Sequence, residues 1–530
     1  MKVKGLQLAA IIALLGLFLF VPARAAEPEK KITADGLFEY LIAEDHVEIN
    51  RTRRQVSELT IPDEIDGLPV TALREGAIKD CYMLRKLKIY GNLTHIDEMT
   101  FFYSSDLEAV NVTADNKVFT DIDGVLYDKG LTKLIFYPAA RPGDSYALPD
   151  SVTEIGFRAM YGSKLTTVNL PPNLKKIGKE GFASCERLTE LTLPDSVAEI
   201  GPNAFAFDRM LREMRLPEGL AKIDSYTFYE CSALKYVYIP PTVTVIGYGA
   251  FSGSGIRFIR IPHGVTTIGD RAFLGCENLE HIFVPHSVTW LGREAFYSCS
   301  SLTDAVIGDS LSIIFEDTFS KCSALRTVTL GAGMKIIDSY AFFRCSSLQN
   351  VYMPKGLTYV GKGAFFGCGN LGCVYYDGSE ADFALLNILE ENETLLSANY
   401  YYNYYIYDFT PLRVPELKLS VNGAAVVTDI PPVTADGVTM APVRVLEPLG
   451  VSLYWSEPRR ELTIGANGNT VVIATDNEEF LVNGEWRHAP VTARSVAGRV
   501  IIPVRAVATA LGYNVSWDPE TNTVDISAGY

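Results

Sequence analysis

A phenylalanine recurs through the middle of the chain at an almost constant interval. Phe182, Phe205, Phe228, Phe251, Phe273, Phe296, Phe319, Phe342 and Phe365 are 23 residues apart, with one step of 22. Three positions after each stands Cys185, Asp208, Cys231, Ser254, Cys276, Cys299, Cys322, Cys345 or Cys368. A third series, Pro149, Pro171, Pro194, Pro217, Pro240, Pro262 and Pro285, continues as Gly308 and Gly331 and returns at Pro354. A unit this short cannot bury its own apolar face, so successive units must stack and share one continuous core. The period excludes a single compact core and dictates a solenoid.

The pattern within one unit predicts its conformation. In Leu188-Thr-Glu-Leu191-Thr-Leu193, Leu191 and Leu193 point one way from an extended strand while Glu190 and Thr192 point the other. Pro194-Asp195-Ser196 turns the chain, Val197 and Ile200 give a second apolar contact, and Gly201 allows a tight bend. Ala204-Phe205 then fill the interior. The same frame fits Leu73, Ile78, Cys81, Leu84 and Ile96, Phe101, Ser104, Leu107, so about a dozen units run from roughly Leu59 to Tyr376. Stacked at ~4.8 Å, their strands form one long parallel sheet.

These residues resemble the bacterial leucine-rich repeats with a 23-residue unit, often called BspA-like, over about residues 56–405. The resemblance implies an α/β solenoid with its parallel sheet on the concave face, spanning 56–378 behind an N-terminal cap at 26–55. A hairpin-variant unit is expected at 110–148, where Asp123-Gly124 and Lys129-Gly130 are turn signals between β-rich runs. Residues 379–416 are expected to form the C-terminal cap and linker. Within them, Tyr400, Tyr401, Tyr402, Tyr404, Tyr405 and Tyr407 suggest either a sticky surface or a final strand packed on the last coil, followed by a connector stiffened by Pro411 and Pro415.

Eight of the nine cysteines keep the repeat position, where they alternate with Ser104, Asp208 and Ser254. That interchange with small polar groups fits an inner turn where a short side chain meets backbone. The ladder Cys185, Cys231, Cys276, Cys299, Cys322, Cys345 and Cys368 is therefore read as free, buried, structural thiols, because stacking alone does not give disulfide geometry. Cys373 falls outside the register, at an outward strand position.

A second repeat, 61 residues long, follows. Val421-Asn422-Gly423 returns as Val482-Asn483-Gly484, Met440-Ala-Pro-Val-Arg444 as Ile501-Ile-Pro-Val-Arg505, Leu449-Gly450 as Leu511-Gly512 and Trp455 as Trp517. Two similar halves, each with strands and a short helix that starts near the Arg and stops at the Gly, predict a small α+β domain over 417–530. This pattern resembles the stalk domain known as the copper amine oxidase N-terminal domain-like family. In the oxidases copper belongs to a separate catalytic domain, and 417–530 carry one histidine, His488. No metal or other cofactor is assigned.

At the other end, Lys2 and Lys4 precede 18 residues without a charge (5–22) and Ala23-Arg24-Ala25. This reads as a secretory signal cut after Ala25, the alternative being an uncleaved anchor. Cleavage leaves 44 basic against 63 acidic residues, strengthening the net charge from −16 to −19. Such a chain repels polyanions, so nucleic acid is not expected as a partner. No transmembrane segment is expected after signal cleavage, and the localisation expected is secreted or cell-surface.

No catalytic motif stands out among six histidines, and His263 and His286, one period apart, are read as a consequence of the repeat. The best functional surface is the outward side of the strands. There Tyr236, Tyr238, Phe258, Arg260, His281, Phe283, Tyr352 and Tyr375 have the composition of a binding hot spot. The expectation is a non-catalytic surface protein holding a protein or glycan through the concave face, as the adhesive roles of BspA-like proteins imply. The alternative is a wall-associated enzyme accessory or spacer, with the stalk domain as attachment module.

Overall fold

A computed structural model describes residues 30–404, except Asp80 and Tyr103, and most of 418–528 in segments (418–426, 433–435, 438–456, 461–474, 479–488, 494–496, 499–518 and 523–528). The expected signal at 1–25 and the connector bearing Tyr405, Tyr407, Pro411 and Pro415 lie outside the described residues. The chain divides into two compact units, Met1–Lys129 with Pro138–Arg141, and Gly130–Tyr137 with Pro142–Tyr530.

In the first unit an antiparallel meander, Lys30–Ile32, Phe38–Ala43 and His46–Thr52, occupies the place expected of the cap. Its last strand pairs in parallel with Leu68–Leu73, which passes the pairing to His95–Ile96. A three-stranded parallel sheet of Glu58–Thr60, Lys86–Ile89 and Ala109–Val112 aligns Leu59 with Leu87 and Leu87 with Val110, all buried. The hairpin expected in the variant unit is present: Phe119–Ile122 pairs antiparallel with Val125–Asp128. Asp123 and Gly124 turn it with φ of 50° and 80°, the two left-handed residues of a type I′ turn.

In the second unit two parallel ladders run along the repeats. One contains Ser145–Ala147 and Thr167–Asn169, then Glu213–Arg215 and Tyr236–Tyr238, then six strands from His281–Val284 to Asn399–Tyr402. The other is built of two-residue strands such as Lys176–Ile177, Val245–Ile246 and Ile336–Ile337, so the second apolar contact of the unit is itself a strand. The α layer implied by an α/β solenoid is reduced accordingly. Among the described residues up to 404 the α-helices are two single turns after the last repeat, Glu380–Phe383 and Glu393–Leu396. The first is closed by a capping box in which Ser379 and Asp382 exchange bonds.

The nine phenylalanines are fully buried and stack ring on ring, from 5.7 Å and 17° between Phe182 and Phe205 to 5.2 Å and 3° between Phe273 and Phe296. Their backbone binds the next coil directly, as Phe182 N–H donates to the Ala204 carbonyl at 2.8 Å. The residues two before and two after these rings are left-handed, for example Glu180 and Ser184 at 56° and 61°, and Asn203 and Phe207 at 56° and 66°. Gly201 has a different role from the bend expected of it: a Cβ there would lie 2.7 Å from the Lys179 backbone nitrogen of the preceding coil. Close approach of coils, and not positive φ, requires glycine.

The C-terminal domain is mostly strands, and its two halves meet on their internal symmetry. Ala441 pairs with Ile502, its equivalent one period later, in the antiparallel contact of Val438–Pro442 with Arg499–Pro503. The expected helices follow, as a 3₁₀ helix at Val443–Leu449 stopped by left-handed Gly450 and an α-helix at Val504–Ala510 before Gly512. One core holds Val445, Leu446, Val507 and Ala508.

Candidate recognition surface

The outward positions of the long ladder fall into two rows, fixed by strand register. Tyr236 aligns with Phe258, and His281 aligns with Asp304, Thr327, Asn350, Cys373 and Asn399 in turn. The companion row reads Phe283, Val306, Thr329, Tyr352, Tyr375 and Tyr401. The intervening residues, including Val237, Ile282, Val328, Val351 and Val374, are buried. Alternation along each strand thus puts every expected contact residue on one face.

The eight candidates form two patches. In the first, Tyr236 and Phe258 stack at 6.5 Å and 20°. The Arg257 guanidinium sits 4.9 Å from the Phe258 ring centre and is held by Glu280 at 2.6 Å. Arg215 lies 5.6 Å from the Tyr238 ring while bonded to Asp195 and Glu218 at 2.8 and 2.9 Å. Arg260 is exposed. His281 Nδ1 meets Asp304 Oδ2 at 3.1 Å, and this bond raises the imidazole's pKa and lowers that of the carboxyl. Phe283 is half-buried, with His263 and His286 edge-on at 6.4 and 6.2 Å. His286 in turn reaches Asp309 at 3.1 Å.

The second patch lies beyond Val306 and Thr329. Tyr352 stacks on Tyr375 at 4.5 Å and 10°, and Tyr375 on Tyr401 at 5.0 Å and 15°. Tyr404 packs obliquely at 4.9 Å from Tyr375. Tyr401 and Tyr404 are 49% and 36% exposed, so this patch reaches solvent. Both were missed as contact residues because the last coil spans 26 residues from Cys373 to Asn399, which breaks the period just where it would have pointed to them. Of the tyrosine run, Tyr400, Tyr401 and Tyr402 lie in the strand Asn399–Tyr402, which pairs in parallel with Cys373–Tyr376 of the preceding coil.

The ladder thiols are free and buried. Each donates to a main-chain carbonyl of the preceding coil: Cys231 to Phe205 at 3.0 Å, Cys299 to Phe273 at 3.2 Å, Cys368 to Phe342 at 3.1 Å. Burial pushes the Cys276 thiol up to about 12, far from thiolate reactivity. Cys373 is half-buried on the strand face. Among the described residues no three His, Cys, Asp or Glu side chains are placed to hold a metal ion. In the C-terminal domain the exposed Arg444 lies 3.8 Å from Glu447, a local pair at the start of the 3₁₀ helix.

Three exposed aromatic residues away from the strand face were not anticipated. Tyr161, Phe207 and Phe366 are 38%, 37% and 44% exposed, and Phe207 meets Tyr229 edge-on at 5.2 Å. Phe207 and Phe366 lie beside the buried Phe205 and Phe365, and Tyr161 beside the buried Met160 that holds the same repeat position, so the repeat frame itself points to them.

Six copies of the BspA type leucine rich repeat region match residues 55–122, 131–257 and 244–372, and the copper amine oxidase N-terminal domain matches 420–526. Solved structures similar to the chain include a leucine-rich repeat protein from Bacteroides ovatus, 24% identical over 69% of this chain and 98% of that one, with a TM-score of 0.44. Another is a leucine rich cell surface protein from Faecalibacterium prausnitzii, 20% identical over 68% and 98%, with a TM-score of 0.34. No curated protein matches the chain. Repeat, register and matched span agree, and the chain belongs to the BspA type leucine rich repeat family.

Proposed function

We propose that this is a non-catalytic recognition protein of the cell exterior, binding a protein or glycan through the outward face of its long strand ladder. The observation that carries this reading is the first patch. Tyr236, Tyr238, Phe258 and Phe283 stand on three neighbouring coils at outward positions of the strand ladder, with Arg260 and the His281–Asp304 pair among them. Clustered aromatics with an arginine are the usual composition of a binding hot spot. Membership of the repeat family, and the likeness to a protein described as a cell surface protein, support an exported setting for which residues 1–25 supply a signal. The C-terminal domain serves as the stalk or attachment module.

The test replaces Tyr236, Tyr238, Phe258 and Phe283 by Ala in the full chain, followed by binding to host matrix proteins and cell-wall glycans. Loss of about 2 kcal/mol or more of binding free energy is expected, with the far-ultraviolet spectrum and melting transition retained. Unchanged binding by a folded variant excludes this patch.

A further inference from the structure

The two patches differ in charge, and that difference separates their ligands. The face around the first patch bears Glu213, Arg215, Arg260, His281 and Asp304. Over the last four coils the exposed or half-buried positions of the two rows are Thr327, Asn350, Tyr352, Cys373, Tyr375, Asn399 and Tyr401, with Thr329 buried in line with them. None is charged, in a chain where charged residues make up 21%. What the face offers instead is hydroxyl, amide and phenol groups, repeated at ~4.8 Å along the coils. Tyr375 is sandwiched between Tyr352 and Tyr401, at 4.5 and 5.0 Å, so the row presents ring edges and phenol groups more than open ring faces. Phenol and amide groups both donate and accept hydrogen bonds.

A charged ligand would find no counter-ion on these positions and would lose hydration on burial without repayment. A neutral polyol loses nothing of that kind. Its hydroxyls exchange water for phenol and amide partners, and the regular spacing of the rows suits a polymer laid along them. We propose that the last four coils form a distinct subsite for an uncharged polysaccharide, with Tyr352, Tyr375 and Tyr401 as its phenolic row and Asn350 and Asn399 beside them. This rests on the strand face being the recognition surface, but not on the first patch.

The experiment is affinity electrophoresis of the full chain in gels containing hydroxyethyl cellulose, dextran, laminarin or galactomannan, with carboxymethyl cellulose as the charged control. Retardation by at least one neutral polymer is expected, insensitive to salt from about 50 to 500 mM because no ion pair is involved. Tyr375→Ala with Tyr401→Ala should weaken it about tenfold or more, and by more than Tyr236→Ala with Phe258→Ala does. Replacing Tyr352, Tyr375 and Tyr401 together by Phe keeps the stack and removes only the hydroxyls, and it too should weaken binding. No retardation by any neutral polymer overturns the proposal, as does retardation by carboxymethyl cellulose alone, or binding unchanged in the Phe variant. Binding of a polypeptide through Tyr375 in place of these polymers also overturns it, while leaving the strand face as a recognition surface. Neutral-polymer binding lost only in the Tyr236 and Phe258 variant overturns the subsite and keeps the first patch.

Discussion

At the scale of single residues the most informative position is Asp208, which stands where the repeat otherwise puts cysteine. It is fully buried, its Oδ1 accepts from the Cys185 N–H at 2.8 Å, and its Oδ2 has no partner. Burial pushes its pKa well above the usual carboxylate range. The sign follows: a carboxyl with a raised folded pKa contributes full stability below its unfolded pKa and loses it as pH climbs towards the folded value. Asp208→Cys restores the ladder and should raise the melting temperature, by a margin that widens from pH 4 to pH 8. An unsatisfied buried acceptor costs roughly 1–3 kcal/mol, and equal melting curves at both pH values would refute this account. The thiols give a second residue-scale expectation. In the native state a maleimide should modify Cys373 alone, with the ladder reacting only in denaturant; mass spectrometry of peptides reads the order. The sequence disclosed the ladder through its spacing and its substitution by Ser and Asp. It did not disclose that Asp208 lacks a second partner, since that depends on the carbonyls of neighbouring coils.

At the scale of elements, strand register was legible because apolar and polar residues alternate along each Leu-x-Leu, and the period then fixes which coils align. The reason for the Ile-Gly pair was not legible. Glycine reads first as a bend, yet Gly201 and Gly247 serve because the neighbouring coil's backbone would lie 2.7 and 2.8 Å from an added Cβ. Gly201→Ala should therefore destabilise by about 1–3 kcal/mol through overpacking, measured by urea denaturation, whereas a bend role would make the cost depend on φ alone. The left-handed flanks of the phenylalanines escaped notice for another reason. Glu180, Asn203, Tyr226, Arg271 and Asp317 adopt them as readily as Gly249 and Gly363 do, so no single residue type marks the position. The bonds to the next coil hold the backbone there against a preference of roughly 1–2 kcal/mol per residue.

At the scale of the whole molecule, the 23-residue repeat runs through the region that the BspA type repeats match, and the 61-residue duplication through the region that the copper amine oxidase N-terminal domain matches. The two patches were not separable in sequence, because Tyr352 and Tyr375 share the spacing of the first group and only the uncharged Val306, Thr327 and Thr329 stand between. Each coil bonds to its neighbours in one register, so stability is close to a sum of coil and interface terms. Removing residues 320–342, one full period, should leave a folded chain with a modestly lower melting temperature. Removing about half as many should abolish cooperative melting, and calorimetry distinguishes the two. The stacked phenylalanines make this tolerance heritable. A ring that meets an identical ring above and below fits equally well against a duplicated copy, so unequal recombination between repeats changes how far the molecule reaches without asking the interior to be redesigned.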